Sequence, residues 1–148
     1  MSNEAAPFSF SDTHEIRDAC FCLHTQRAAR ALARTFDDAL RPLALTSGQF
    51  SLLNALNRPE PPSMAPVAAL LGMDRTTLTA ALKPLERRGL AAVETDSKDR
   101  RGRRLRLTPE GLALLARAAP VWRLTHAEIE SRLGARAEGL RHALRDLA

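Results

Sequence analysis

Two groups of residues have types and spacings that could do chemistry. The first is "KDRRGRRLR", Lys98 to Arg106, where five arginines and a lysine fall within nine residues. Guanidinium groups grip phosphate through paired N–H donors, so a run this dense suits a nucleic-acid backbone; a solvated basic loop is the plainer reading. The second is "ACFCLH", Ala19 to His24, which holds two thiols and an imidazole. On a helix Cys20 and His24 share a face one turn apart, so the imidazole could stabilise a thiolate, while Cys22 points almost the opposite way. An intrahelical disulfide between the cysteines is not expected. A zinc site wants three or four ligands and only two share this face, so no metal is expected. The chain has no Gly-rich phosphate loop, no G-x-S-x-G and no H-E-x-x-H, which leaves an enzyme as the disfavoured alternative and implies no cofactor.

Composition narrows the class of partner. The 148 residues, 45% hydrophobic, suffice for one good core and one compact unit that can still give surface to a dimer. Residues 1–62 carry six Lys/Arg against seven Asp/Glu, residues 63–107 ten against five, and residues 108–148 six against five. The whole net charge of +5 therefore sits in the middle, the footprint of a nucleic-acid-binding module held by a near-neutral scaffold. No run of eighteen apolar residues occurs, and "MSNEAAPFSFSD" has neither a basic nor an apolar signal region, so no membrane partner is expected and a cytoplasmic protein is. Cys20 and Cys22 are too close to frame a disulfide scaffold, which agrees with a reducing compartment.

The elements that must position these groups follow from periodicity and punctuation. Asp12 is expected to cap one uninterrupted helix reaching about Leu40, with Ile16, Cys20, Leu23, Ala31 and Leu40 at helical spacing. After Pro42, "ALTSGQF" supplies Thr46 as N-cap with Gln49 three residues on, a capping box that opens a second helix to about Asn57. "RPEPP" is a loop. A short helix from Ser63 and a second capped by Asp74 flank a turn at Gly72. Leu78, Leu82 and Leu85 share the inner face of that second helix, leaving Thr76, Ala80, Lys83 and Arg87 opposite, Thr77 and Thr79 beside them and Arg75 at its start. Pro84 should bend it. "LAAVET" and "RLRLT" then form a hairpin with one buried and one basic face; Thr108 caps a long helix through Trp122 and Ile129, kinked if anywhere at Pro120, and a final helix spans 135–147.

Helix, turn, helix and hairpin in this order predict a mostly α fold with a small β-hairpin wing. The expected organisation is a winged helix-turn-helix domain over 46–107 on a helical dimerisation region made of 1–45 and 108–148, whose apolar positions one small domain could not cover by itself. The arginine run is then the wing tip, reaching backbone or minor groove beside a recognition helix in the major groove. Asp99 is expected to hold the Arg101 guanidinium in a bidentate pair. Ser63, at the start of a helix, could donate to phosphate or serve as a simple N-cap.

The stretch "MDRTTLTAALKPLERRGLAAVETDSKDRRGRRLRLTPEGLALL", Met73 to Leu115, resembles the recognition helix and wing of MarR-type transcription regulators. It carries their "L-x-x-L-E-x-x-G-L" helix end, "D-x-R" wing and "L-T-x-x-G" helix start, and "ALTSGQF" stands where the family has "G-L-T-x-x-Q-F". The resemblance implies a homodimer on near-palindromic double-stranded DNA, in most members a repressor released by a small ligand or by oxidation. By matching position, Thr76, Thr77, Thr79 and Lys83 would carry recognition-helix contacts and Arg101 with Asp99 the wing contact, with Arg100, Arg103 and Arg104 as added charge. A non-specific nucleic-acid-binding protein is the other alternative.

"ACFCLH" is similar to the "L-C-F-x-L-Y" of the family's organic-hydroperoxide-sensing branch, which puts Cys20 at the reactive position. That branch uses tyrosine hydroxyls; this chain has no Tyr, and His24 stands in the motif's place. Three readings remain open for this region: structural cysteine, a small-molecule effector pocket lined by His24, Arg27, Phe50 and Trp122, and redox sensing through Cys20.

Overall fold

The computed structural model of the chain describes residues 6–148. Seven α-helices and one hairpin follow in order: α1 Phe10–Ala19, α2 Phe21–Leu40, α3 Ser47–Leu56, α4 Met64–Leu71, α5 Arg75–Arg87, β1 Ala91–Thr95, β2 Arg103–Leu107, α6 Pro109–Leu133 and α7 Ala137–Asp146, with single 3-10 turns at Arg41–Leu43 and Gly134–Arg136. The winged arrangement expected from the sequence is present.

The N-terminal helix is not continuous. Ser9, rather than Asp12, caps α1; Asp12 sits three residues in and accepts the Ser9 N–H in a capping box. Cys20 then turns extended, with ψ 106°, and serves as the N-cap of α2, its Sγ accepting the Leu23 N–H at 3.4 Å. A thiol thus does the work usually given to Ser or Asp, and neither Gly nor Pro marks the break. The opposed-face argument for Cys20 and Cys22 consequently loses its basis, since the two do not share one helix.

The remaining local signals form as their residues dictate. Thr46 and Gln49 make both bonds of the capping box on α3. Gly72 closes α4 at φ +62°, Asp74 accepts the Thr77 N–H at the start of α5, and Thr108 accepts the Gly111 N–H at the start of α6. α5 runs through Pro84 to Arg87, because only the bond to Ala80 is forfeited.

The core lies where α2, α3 and α6 meet the winged elements. Leu40, Leu52, Leu53, Leu56, Val67, Leu78, Leu82, Leu85 and Leu105 are its fully buried large side chains. β1 and β2 pair antiparallel with Ala91 opposite Leu107 and Thr95 opposite Arg103, so Leu105 points into this core. The Leu105 N–H donates to the Pro62 carbonyl at 2.8 Å, which stitches the wing to the loop before α4. At the foot of the wing, a Cβ built on Gly111 would lie 2.2 Å from the Leu90 carbonyl oxygen, so only glycine permits α6 to start there. α1 buries no side chain, and Phe10, Ile16, Phe21, Leu124, Leu140, Leu144 and Leu147 all remain exposed along the terminal elements.

Ala44 is the one described non-glycine residue in the left-handed region, at φ 52° and ψ 39°. It occupies the position at which the family motif has Gly, and its carbonyl accepts from the Arg88 guanidinium at 2.7 Å. An L side chain there carries a cost that glycine does not. Ala44→Gly should therefore stabilise the fold by about 1 kcal/mol despite the added chain entropy. Urea denaturation checks this: a shifted midpoint at unchanged slope is expected, and a lower midpoint would refute it.

Candidate nucleic-acid interface

The outward face of α5 is built by its inward one. Leu78, Leu82 and Leu85 are buried, and this leaves Arg75, Thr76, Thr77, Thr79, Ala80, Lys83 and Arg87 exposed. Thr79 Oγ1 donates back to the Arg75 carbonyl at 2.8 Å, which presents its methyl group and remaining lone pair outward. Asp74 anchors the start of the helix. The Thr77 N–H, and then the Thr77 hydroxyl, hold its carboxyl below the usual aspartate range. An anion at a helix N-terminus is also favoured by the dipole.

The wing faces this helix across a cleft of about 440 Å³ lined by Met64, Arg75, Thr79, Leu82, Lys83, Glu86, Val93 and Arg103. Four of the residues expected at the site, Arg75, Thr79, Lys83 and Arg103, are thus brought to one concave surface. Met64, Val93 and Glu86 were not expected there. Met64 and Val93 reach the cleft only because the wing folds back over α4 and α5, a contact no local pattern encodes.

The wing cations divide into two sets. Arg104 donates Nε to Asp96 at 2.9 Å and Nη1 to the Pro61 carbonyl at 3.3 Å; Arg106 donates Nε to Glu94 at 2.8 Å. The face expected to be purely basic is therefore largely neutralised by the opposing strand and its continuation. Arg104 is an internal tie. At the tip, Arg100, Arg101 and Arg103 are exposed. Arg103 Nη1 rests on the Arg100 and Gly102 carbonyls at 3.3 and 3.2 Å.

Asp99 does not pair with the Arg101 guanidinium. Its Oδ1 accepts the Arg101 backbone N–H at 3.0 Å while its carbonyl accepts the Gly102 N–H at 2.9 Å, an Asx turn that shapes the tip. Two-residue spacing favours that backbone contact over a long guanidinium folding back. The Arg101 guanidinium makes no hydrogen bond or ion pair within the described residues, and so points its donors to solvent. Ser63 occupies the N-cap of α4 without a side-chain capping bond, so its hydroxyl is unspent.

The effector candidates separate into two places. His24 and Arg27 line a cleft on α2, while Phe50 lines one with Asn54, Asn57, Leu112, Leu115, Ala116 and Ala119 between α3 and α6. Trp122 stacks on Phe50 at 6.4 Å and on His126 at 4.7 Å. His24 Nε2 lies 3.0 Å from the Asp18 carbonyl, so the ring is engaged with α1 rather than with the Cys20 sulfur.

The Asp96–Arg104 tie makes the wing sensitive to acid. The Lys98 N–H holds the Asp96 carboxyl below the usual aspartate range, burial opposes this, and Arg104 adds to the lowering. A carboxyl depressed on folding contributes stability above its unfolded value, about 4, and loses it as pH falls through the lower folded value. In an NMR titration the Lys98 amide and Arg104 Nε–H should move together with a midpoint below 4, about where free aspartate titrates. A midpoint at or above that of free aspartate would show that the Lys98 and Arg104 contacts to Asp96 do not hold in solution.

Comparison with known proteins places this geometry. A MarR-family model matches residues 44–102, the stretch from the turn after α2 through the wing tip. The transcriptional regulator MosR of M. tuberculosis, solved in complex with DNA, is 39% identical; 86% of this chain and 92% of that one are covered, with a TM-score of 0.80. The transcriptional repressor CouR bound to a 23-mer DNA duplex is 29% identical over 96% of each chain, with a TM-score of 0.72. CouR from Rhodococcus jostii RHA1 bound to p-coumaroyl-CoA aligns at 23% identity over 88% of this chain and 90% of that one, TM-score 0.70, a likeness of fold alone. With near-full-length similarity to a DNA-bound regulator, and with the helix and wing that such a regulator needs, the chain belongs to the MarR family of DNA-binding transcriptional regulators.

Proposed function

We propose that this regulator is a cytoplasmic homodimeric repressor that reads a near-palindromic operator and is released by a small molecule. The observation that carries the reading is the concave surface where Arg75, Thr79 and Lys83 of α5 face Arg103 of β2. Short hydroxylated side chains allow approach to base edges, and the flanking cations meet phosphate. Thr76 and Thr77 extend the same helix face, Arg100 and Arg101 extend the wing beyond it, and Ser63 offers a hydroxyl at the start of α4. Arg104 and Asp99 act indirectly, by holding the wing and its tip in shape.

Assembly follows from the apolar surplus of the terminal elements. Phe21 and Leu124 are 78% and 68% exposed, and a single chain gives α1 nothing to bury. Pairing these elements about a twofold axis would set two recognition helices on successive major grooves, about 34–36 Å apart. Small-molecule release is supported by the separate clefts on α2 and between α3 and α6, and by the fold's capacity in CouR to bind p-coumaroyl-CoA.

The test begins with duplexes selected by the full-length protein from a random pool. Selected duplex should bind far more tightly than random duplex of equal length at fixed salt; equal affinities would make the protein a non-specific binder. Arg101→Ala should weaken both and reduce the salt slope by about 0.9, one phosphate contact. An unchanged slope would remove Arg101 from the interface.

A second reading is favoured by one feature, the Cys20 sulfur at the cap of α2. A hydroperoxide attacked by this thiol would leave sulfenic acid on Cys20 and be reduced to the alcohol. The added oxygen would then disturb the cap on which the α1–α2 junction turns. Peroxide should release operator DNA from the parent and from Cys22→Ser but not from Cys20→Ser, in which a hydroxyl keeps the cap. Retention of DNA by the parent when mass spectrometry shows Cys20 fully modified would end this reading.

A further inference from the structure

The cleft on α2 gathers positive charge away from the surface shared by α5 and the wing. It is about 550 Å³ and is lined by His24, Arg27, Ala28, Arg30, Ala31 and Arg34. At 100° per residue the three arginines fall within about 60° of arc and span roughly 10 Å along the helix axis. All three are exposed, and none forms an ion pair within the described residues; Arg30 makes only a 3.4 Å contact to the Gln26 amide oxygen.

This arrangement opposes what stabilises a helix. Like charges three and four residues apart repel, and Arg27–Arg30 and Arg30–Arg34 have that spacing. Here the first turn of α2 has no acid, and its two carboxylates, Asp37 and Asp38, lie at the far end. Neither serves the arginines: Asp37 accepts the Ser47 N–H at 2.6 Å, and Asp38 pairs with Arg41. His24 adds a polar edge, because its Nε2 is committed to the Asp18 carbonyl and its Nδ1 is not. Ala28 and Ala31 keep the floor of the cleft low between the long side chains.

We propose that this cleft binds a small molecule carrying two or more linked phosphate groups. Guanidinium forks match phosphate oxygens in pairs, and three forks in a row suit a chain of phosphates better than one isolated anion. The surface is also distinct from the apolar one. Phe21 and Leu32, both exposed, lie about 150° around α2 from the arginines, so pairing of chains through those residues leaves the cleft open. Phosphate binding here deepens the small-molecule reading of the α2 cleft and rests on it; because it is measured on the free protein, its failure leaves the operator and the cleft between α3 and α6 untouched.

The experiment is calorimetric titration of the full-length chain with inorganic tripolyphosphate. It is run in an Arg100→Gln/Arg101→Gln background, so that the wing tip does not compete, with sulfate at matched ionic strength as the control. Saturable binding at one site per chain is expected, weakened by at least about tenfold when Arg27→Gln and Arg34→Gln are added. Heat no larger than with sulfate, or equal affinity in the two proteins, overturns the proposal. With the native wing, Arg27→Gln/Arg34→Gln should keep its helix content, sedimentation behaviour and salt slope on selected DNA. A lower slope would make this a DNA-contacting face, and altered sedimentation a contact between chains; either result also overturns it.

Discussion

The joint between the foot of the wing and the start of α6 is the constraint on which the rest of the structure depends. Thr108 donates its hydroxyl to the Gly89 carbonyl at 2.7 Å, accepts the Gly111 N–H on the same oxygen at 3.0 Å, and gives its own N–H to the Leu90 carbonyl at 3.2 Å. Gly111 lets that carbonyl approach closer than any Cβ allows. One threonine and one glycine thus lock the Gly89–Leu90 link between α5 and β1 to the first turn of the long scaffold helix. A shift in the first turn of α6 is thereby transmitted directly to the base of the wing.

Electrostatics then sorts the cations that the fold has gathered. Ten Lys/Arg in 63–107 form a crowded basic block, but the crowding is relieved internally where the strands pair. Asp96 and Glu94 take Arg104 and Arg106 out of circulation and make them structural. What is left facing outward is a smaller set, on α5 and at the wing tip, with Asp99 shaping the tip through the backbone. The number of arginines overstates the number free to meet phosphate, and opposing carboxylates decide which ones are. On α2 the opposite holds, since the two carboxylates of that helix are engaged with Ser47 and Arg41 and pair with none of the three arginines.

The N-terminal part of the chain behaves differently from the winged part. The winged elements close a leucine core with every buried side-chain polar atom partnered among the described residues. α1, by contrast, is held by its capping box, by the Cys20 junction and by the His24–Asp18 contact, and buries none of its own side chains. α7 is tied to α6 by polar contacts, with Arg141 bridging Glu130 and Glu138. These ends keep apolar surface that one chain cannot cover, and a stable fold with that surplus is suited to assembly.

Much of what is decided within about four residues was legible in the sequence, though not the Ser9 cap of α1 or the backbone turn at Asp99. The capping residues Thr46, Asp74 and Thr108, the left-handed glycine at 72, the leucine face of α5 and the order of helix, turn, helix and hairpin were all legible, because caps, turns and helical faces are local physics. The winged fold followed from them. Tertiary structure decided the rest. Only folding brought Arg103 across from Arg75 and Lys83, gave Arg104 to Asp96 and the Pro61 carbonyl, and set Phe50 and Trp122 apart from His24 and Arg27. The break at Cys20 was hidden for a related reason. A thiol is a weak cap that sequence patterns do not flag, and its role emerged only from the backbone around it. Which charges are spent and which are left depends on partners brought together from different elements, and that is settled by packing rather than by spacing.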